Sequence, residues 1–244
     1  MKYIIILGDG MADLPMDEIN GMTPLEFANT PTMDRLARCG EVGLVNTIPE
    51  GMSPGSDTAN LSVLGYDPQI YYTGRSPLEA MSIGVAMKDT DVALRCNIVT
   101  VSDEFEYDNK KIIDHSSGEI STEEAEVLLN EVRRLLENDR YRFYKGTSYR
   151  HLTIWDNGSV NVELTPPHDI LGKTIKEFLP EHLELRDMMR RSYEILNNHP
   201  INVKRRKKGL NPANSIWFWG AGTKPNLTSF EEKNNVKAAM ISAV

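Results

Sequence analysis

The chain has 244 residues, 40% of them apolar, and carries 27 Lys and Arg against 35 Asp and Glu for a net charge of −8. That length suffices for a sizeable buried core and the composition is that of an ordinary globular protein, while the acidic balance excludes a nucleic-acid surface as its main business. Cys39 and Cys96 are too few and too far apart for a disulfide framework or a thiolate metal site, and read as reduced core or near-core thiols.

The apolar run Tyr3-Ile4-Ile5-Ile6-Leu7 predicts a strand buried on both faces, the pattern of a central parallel strand. It ends at Gly8-Asp9-Gly10 with no small-residue cleavage pattern and is far too short to span a bilayer, so the chain reads as cytoplasmic with no membrane partner. Asp9 is then a carboxylate at the carboxyl end of a strand, where ligands bind in open α/β folds. Its flanking glycines allow close approach of a ligand or metal ion; a plain turn or capping role is the alternative. Pro15, Gly21 and Pro24 punctuate a loop with a helical turn, and Pro31 opens a helix from Thr32 to about Cys39, closed by Gly40. A second short strand is predicted over 42–47.

Ser53-Pro54-Gly55-Ser56-Asp57-Thr58-Ala59-Asn60 follows, running into the periodic Leu61, Val63, Leu64 and Tyr66. Pro54-Gly55 marks a turn and Ser56 stands where a helix begins, beside the unpaired N–H groups of its first turn. A serine there either accepts an N–H as an ordinary cap, the commoner role, or faces a phosphate as a nucleophile where backbone N–H groups and the helix dipole hold negative charge. A strand-end Asp9 and a helix-start Ser56 together suit a hard cation that activates the hydroxyl. Strand, helix, strand, turn and helix in succession are the signature of a parallel sheet with crossover helices.

From about Gly84 a different unit begins. Strands are predicted over 96–101, 111–113, 141–144, 151–155 and 160–164, with a helix from Ser121 to Asn138 in which Ser121 and Glu124 have capping-box spacing. Ala125, Leu128, Leu129, Val132, Leu135 and Leu136 fall on one face of it. Asp169 reads as the N-cap of a helix starting near Ile170, and another helix covers Glu184 to Asn197 and stops at Pro200. Lys204-Arg205-Arg206-Lys207-Lys208 reads as a solvated basic loop. Ile216-Trp217-Phe218-Trp219 is a buried strand returning to the main sheet rather than a base-stacking platform; a helix start at Ser229 and a last strand over 238–244 follow.

Asp9 in I-I-I-L-G-D-G-M, Ser56 in S-P-G-S-D-T-A-N-L-S-V-L-G-Y-D-P, and Tyr72-Thr73-Gly74-Arg75-Ser76-Pro77-Leu78-Glu79-Ala80 resemble the archaeal-type cofactor-independent phosphoglycerate mutases of the alkaline phosphatase superfamily. The likeness runs on through Arg95-Cys96-Asn97, Ser117-Gly118, Tyr149-Arg150-His151, Thr165-Pro166-Pro167-His168-Asp169 and Asn214 to Gly220, across essentially the whole chain. The resemblance implies an α/β fold: an alkaline-phosphatase-like, mostly parallel sheet with flanking helices over residues 1–90 and 206–244, interrupted by a smaller α+β substrate-binding domain over 91–205. It implies interconversion of 3-phosphoglycerate and 2-phosphoglycerate in glycolysis and gluconeogenesis, without 2,3-bisphosphoglycerate. Ser56 would take the phosphoryl group and, with Asp9, ligate metal; two divalent ions, Mn²⁺, Mg²⁺ or Zn²⁺, would complete the site.

A substrate with a phosphate and a carboxylate calls for guanidinium forks, and Arg75, Arg95 and Arg150 each sit inside a resembling motif. His115, His151 and His168 can add hydrogen bonds or a proton, and Lys224 a point charge; a structural histidine or a solvated lysine is the plainer alternative at each. Family members are longer, and the resemblance places most of their metal ligands in the part absent here, so this chain alone is expected to be inactive. The apolar end at Ala238 to Val244 reads as a cut strand. Alternatives are phosphoryl transfer on another small metabolite, by a phosphatase or a homoserine-kinase-like activity, and a non-catalytic metabolite-binding remnant.

Overall fold

The computed structural model describes residues 2–241, and the chain divides into two compact units, residues 1–70 and 71–244. The first unit is built on short helices. Thr23 and Glu26 close a reciprocal capping box ahead of α1 (Pro24–Phe27), and Pro31 opens α2 (Pro31–Cys39), which the chain leaves at Gly40. Next come α3 (Ser56–Val63) and α4 (Pro68–Tyr71), within whose last turn the division falls.

The predicted strands at 3–7 and 42–47 are corrected: neither carries strand pairing, and their apolar side chains stand exposed, Ile4 at 85% and Leu44 at 105%. A strand exists through its ladder to a neighbour, and neither segment meets one among the described residues. Cys39 is exposed rather than near a core; Cys96 alone is buried, which pushes its thiol up to about 12.

The second unit starts with α5 (Arg75–Ser82) and centres on β1 (Val92–Val101), a strand buried at every position. β2 (Ile112–Asp114), α6 (Thr122–Leu136), β3 (Tyr141–Tyr144) and β4 (Arg150–Trp155) follow, then α7 (Leu183–Leu196), α8 (Pro200–Lys207), β5 (Ser215–Thr223) and α9 (Phe230–Asn234). β1 lies between β4 and β5, β3 hairpins onto β4, and β2 pairs with the far end of β1; every one of these ladders is antiparallel. The protein is thus a mixed α/β structure with an antiparallel sheet and flanking helices. The mostly parallel sheet is not found among the described strands, because the segments read as its strands are the unpaired ones. β5 does not return to another sheet: Arg95 faces Trp219, Cys96 faces Phe218 and Asn97 faces Trp217 across the β1 ladder, which satisfies its backbone here.

Helices α6 and α7 cover one face of this sheet and α5 the other. Ala125, Leu128, Leu129, Val132 and Leu136 of α6 are buried as the periodicity predicts, but Leu135 is 42% exposed, being a step round from the stripe. Ser121 accepts the Glu124 N–H at 3.2 Å, yet the capping box is only half formed, because the Glu124 carboxylate is taken by Arg205 at 2.6 Å. Residues 160–164 make no strand; Val162 and Leu164 pack on the core while the neighbouring Thr165 carbonyl accepts from the Trp217 indole. Asp169 lies inside the 3₁₀ turn Pro167–Ile170 and caps nothing. Ser229 and Glu232 do form a capping box, opening α9 where the sequence places a helix start. The last predicted strand is unpaired over 238–241, and 242–244 lie outside the described residues.

The basic cluster is likewise no solvated loop. Pro200 sits at N1 of α8, so Lys204 to Lys207 form its last turn, where positive charge complements the helix dipole. Arg205 is buried there and donates to the Asn211 carbonyl at 2.9 Å, to Glu124 Oε2 at 2.6 Å and to the Ser117 carbonyl at 2.6 Å. Arg205→Met keeps the bulk and strands those acceptors, so chemical denaturation should show a loss of about 2 kcal/mol. An unchanged midpoint would mean that the three bonds add nothing.

Candidate active site

Two groups of side chains, one in each unit, contain most of the sequence candidates. In the first unit Gly55 is the N-cap of α3, without a side-chain bond, and Ser56 is the first helical residue. Its hydroxyl does not cap the helix. It donates instead to Asp9 Oδ2 at 3.0 Å, from an exposed position. Gly10, at φ +74°, lets the chain turn away directly after Asp9. The pair supplies two oxygen donors, where Mg²⁺ or Mn²⁺ takes about six. Among the described residues no group of three or more His, Cys, Asp or Glu is placed to hold an ion. The donors among the described residues therefore do not make a two-ion centre.

The second group lies on the α5 face of the sheet. Alternation along the strands and their register put Arg95 and Asn97 of β1, Arg150 of β4 and Trp219 of β5 on that face. Arg95 is only 6% exposed. It donates Nε to Glu79 Oε2 at 2.9 Å and Nη2 to Glu79 Oε1, and its guanidinium lies 4.6 Å from the centre of the Trp219 ring. Arg75, exposed at the start of α5, brings Nε to 3.5 Å from the same Glu79 Oε1. The Trp219 indole N–H donates to Asn97 Oδ1 at 3.2 Å, and His168 meets Trp219 edge-on at 5.3 Å. His115 stands 6.0 Å from His168 and 5.8 Å from Tyr149, over which the Arg150 guanidinium lies at 5.1 Å. An unbroken series of contacts thus joins Arg75 to Arg150 through both histidines.

The loop bearing His115 is held by Asp114, which accepts from the N–H groups of Ser116 at 2.8 Å and Gly118 at 2.6 Å and from the Asn211 amide at 2.8 Å. Burial raises its pKa, but these bonds outweigh burial and keep the carboxyl below the ordinary range. Two candidates stand apart. His151 pairs with Cys96 on the opposite, core face and is 3% exposed, so it is corrected from a substrate contact to a core residue. Lys224 is exposed and paired with Asp89 at 3.0 Å, away from the series. Glu79, Asn97, Tyr149 and Trp219 were not predicted as site residues. The available signal was Glu79 four residues after Arg75, the spacing of a helical ion pair.

A sequence model of the 2,3-bisphosphoglycerate-independent phosphoglycerate mutases matches residues 37–202. The chain belongs to that family. It is 49% identical over 248 residues to the Methanosarcina barkeri enzyme of that name, a match covering 100% of this chain and 61% of the relative. A solved structure of a Pyrococcus horikoshii protein superposes with a TM-score of 0.71 at 33% identity, covering 97% of this chain and 55% of that one. The cofactor-independent phosphoglycerate mutase of Thermoplasma acidophilum gives 0.53 at 29% identity, covering 93% and 60%. The chain spans about three fifths of the length of the curated relatives it matches. Among its described residues no helix is long and apolar enough to cross a membrane.

Proposed function

We propose that this chain takes part in the interconversion of 3-phosphoglycerate and 2-phosphoglycerate, with Ser56 as the phosphoryl acceptor. The observation that carries the reading is the Ser56 hydroxyl bonded to Asp9 Oδ2 at 3.0 Å, at the first position of a helix, in a member of this family. Asp9 holds the hydroxyl proton and leaves an Oγ lone pair for phosphorus. The helix start favours the negative charge of an arriving phosphate. The phosphoryl group passes from one glycerate oxygen to Oγ and returns to the other hydroxyl, so no bisphosphoglycerate is needed. Divalent ions, Mn²⁺, Mg²⁺ or Zn²⁺, would supply charge stabilisation to the phosphoryl group when bound. On the second unit, Arg75 and Arg150 are exposed and suited to carboxylate and phosphate groups, and His115 and His168 to hydroxyls.

We further propose that residues 1–90 belong with an alkaline-phosphatase-like sheet domain, which the succession of apolar run, helix, apolar run and helix in the sequence supports. The stretch 91–205, together with β5 by its pairing, forms the substrate-binding part. Incubation with 3-phosphoglycerate and manganese, in a chain as long as the relatives, should place one phosphate on Ser56, read by mass spectrometry. Efficient hydrolysis of simple phosphate monoesters beside trace mutase turnover would favour the phosphatase reading instead.

A further inference from the structure

We infer that Glu79 is a positioning residue, whose carboxylate fixes Arg95 against Trp219 and thereby sets His168 and His115 on the face that receives substrate. The inference rests on the proposed reading of that face as the phosphoglycerate site. Arg95 gives Nε and Nη2 to one carboxylate and its guanidinium face to an indole, and it is 6% exposed. To reach a ligand it would have to abandon both partners inside the protein, which is costly for a buried charge. Arg95 is therefore a brace rather than a fork.

Trp219 is restrained from three directions. Arg95 lies over its ring, Asn97 accepts its indole N–H at 3.2 Å, and Gly220 follows at φ +64° with Ser76 donating to its carbonyl. A Cβ at Gly220 would stand 3.3 Å from Ser76 Oγ and 3.8 Å from Arg95 Cδ, so the bulge after Trp219 is packed directly onto α5 and the brace. The held indole is the surface on which His168 rests at 5.3 Å, and His168 in turn neighbours His115 at 6.0 Å. Glu79 also lies 3.5 Å from Arg75, whose side chain is 49% exposed. An arriving anion competes with Glu79 for Arg75 while Arg95 stays in place.

The test uses the full chain with labelled His and Trp, read by NMR, and 3-phosphoglycerate as the probe. Glu79→Gln is expected to move the ring resonances of His168 and His115 and the Trp219 indole N–H in the ligand-free protein, leave those of His151 in place, and raise Kd about tenfold. The double variant Glu79→Gln with Arg95→Met removes both charges of the pair, so it reads the same resonances without a stranded ion. His168 and His115 at their wild-type positions in either variant would overturn the inference, and a weakened Kd with unmoved rings would make Arg95 itself a ligand contact. A wild-type chain that does not respond to 3-phosphoglycerate would refute the substrate reading, while the ligand-free shifts would still decide whether Glu79 positions these rings.

Discussion

Ser56→Ala, in a chain as long as the relatives, is expected to bring phosphoryl transfer between 3- and 2-phosphoglycerate below detection. The reason lies in the bond the hydroxyl makes. At the first position of α3 it is not needed to cap the helix, because Gly55 occupies the N-cap; its partner is the Asp9 carboxylate at 3.0 Å. Removing it takes away the only atom at that position able to accept phosphorus and leaves Asp9 with no proton to hold. The stability cost should be small, within the ~1 kcal/mol of an exposed cap-like bond. Near-normal turnover of the alanine variant with manganese present would sink the nucleophile assignment. A matched Asp9→Asn variant should bind substrate but phosphorylate Ser56 slowly, since the amide cannot take the hydroxyl proton.

Local signals in the sequence were read well where local chemistry decides the outcome. Pro31 and Gly40 bound α2, Ser229 and Glu232 open α9, and the strand predicted over 96–101 is the second half of β1. Readings failed where a partner distant in the chain decides. The run Tyr3 to Leu7 has the composition of a buried strand, but composition cannot supply the neighbouring backbone that makes one. Glu124 has the right spacing for a capping box, yet Arg205, 81 residues later, takes its carboxylate. The same holds at the site. The pairing of Ser56 with Asp9 was legible because each stands in a compact turn motif, whereas the contact of Glu79, Arg95 and Trp219 depends on the register that brings β5 back to β1. His151, beside Arg150 in sequence, was misplaced because adjacent residues of a strand point to opposite faces.

That misplaced histidine carries the second large effect. His151 lies on the core face, where its Nδ1 accepts the Gly146 N–H at 3.2 Å, a bond available only to a ring without a proton on that nitrogen. Burial lowers its pKa to about 4, with the charge of Lys145 adding to the shift, against 6.5 ordinarily. Between those values the unfolded chain binds a proton that the native protein does not, so stability rises with pH there. The stabilisation is fully present above about pH 6.5 and is lost as pH falls toward about 4. A displacement of this size corresponds to roughly 3 kcal/mol across the window. His151→Gln keeps an acceptor for Gly146 and has no titrating proton. Its stability is therefore expected to be lower than wild type at pH 7, from imperfect packing, and to fall less on acidification, so that the two curves converge by about 3 kcal/mol between pH 6.5 and 4. Denaturant unfolding at several pH values measures this directly. Parallel curves through the window would mean that His151 already protonates in the native state.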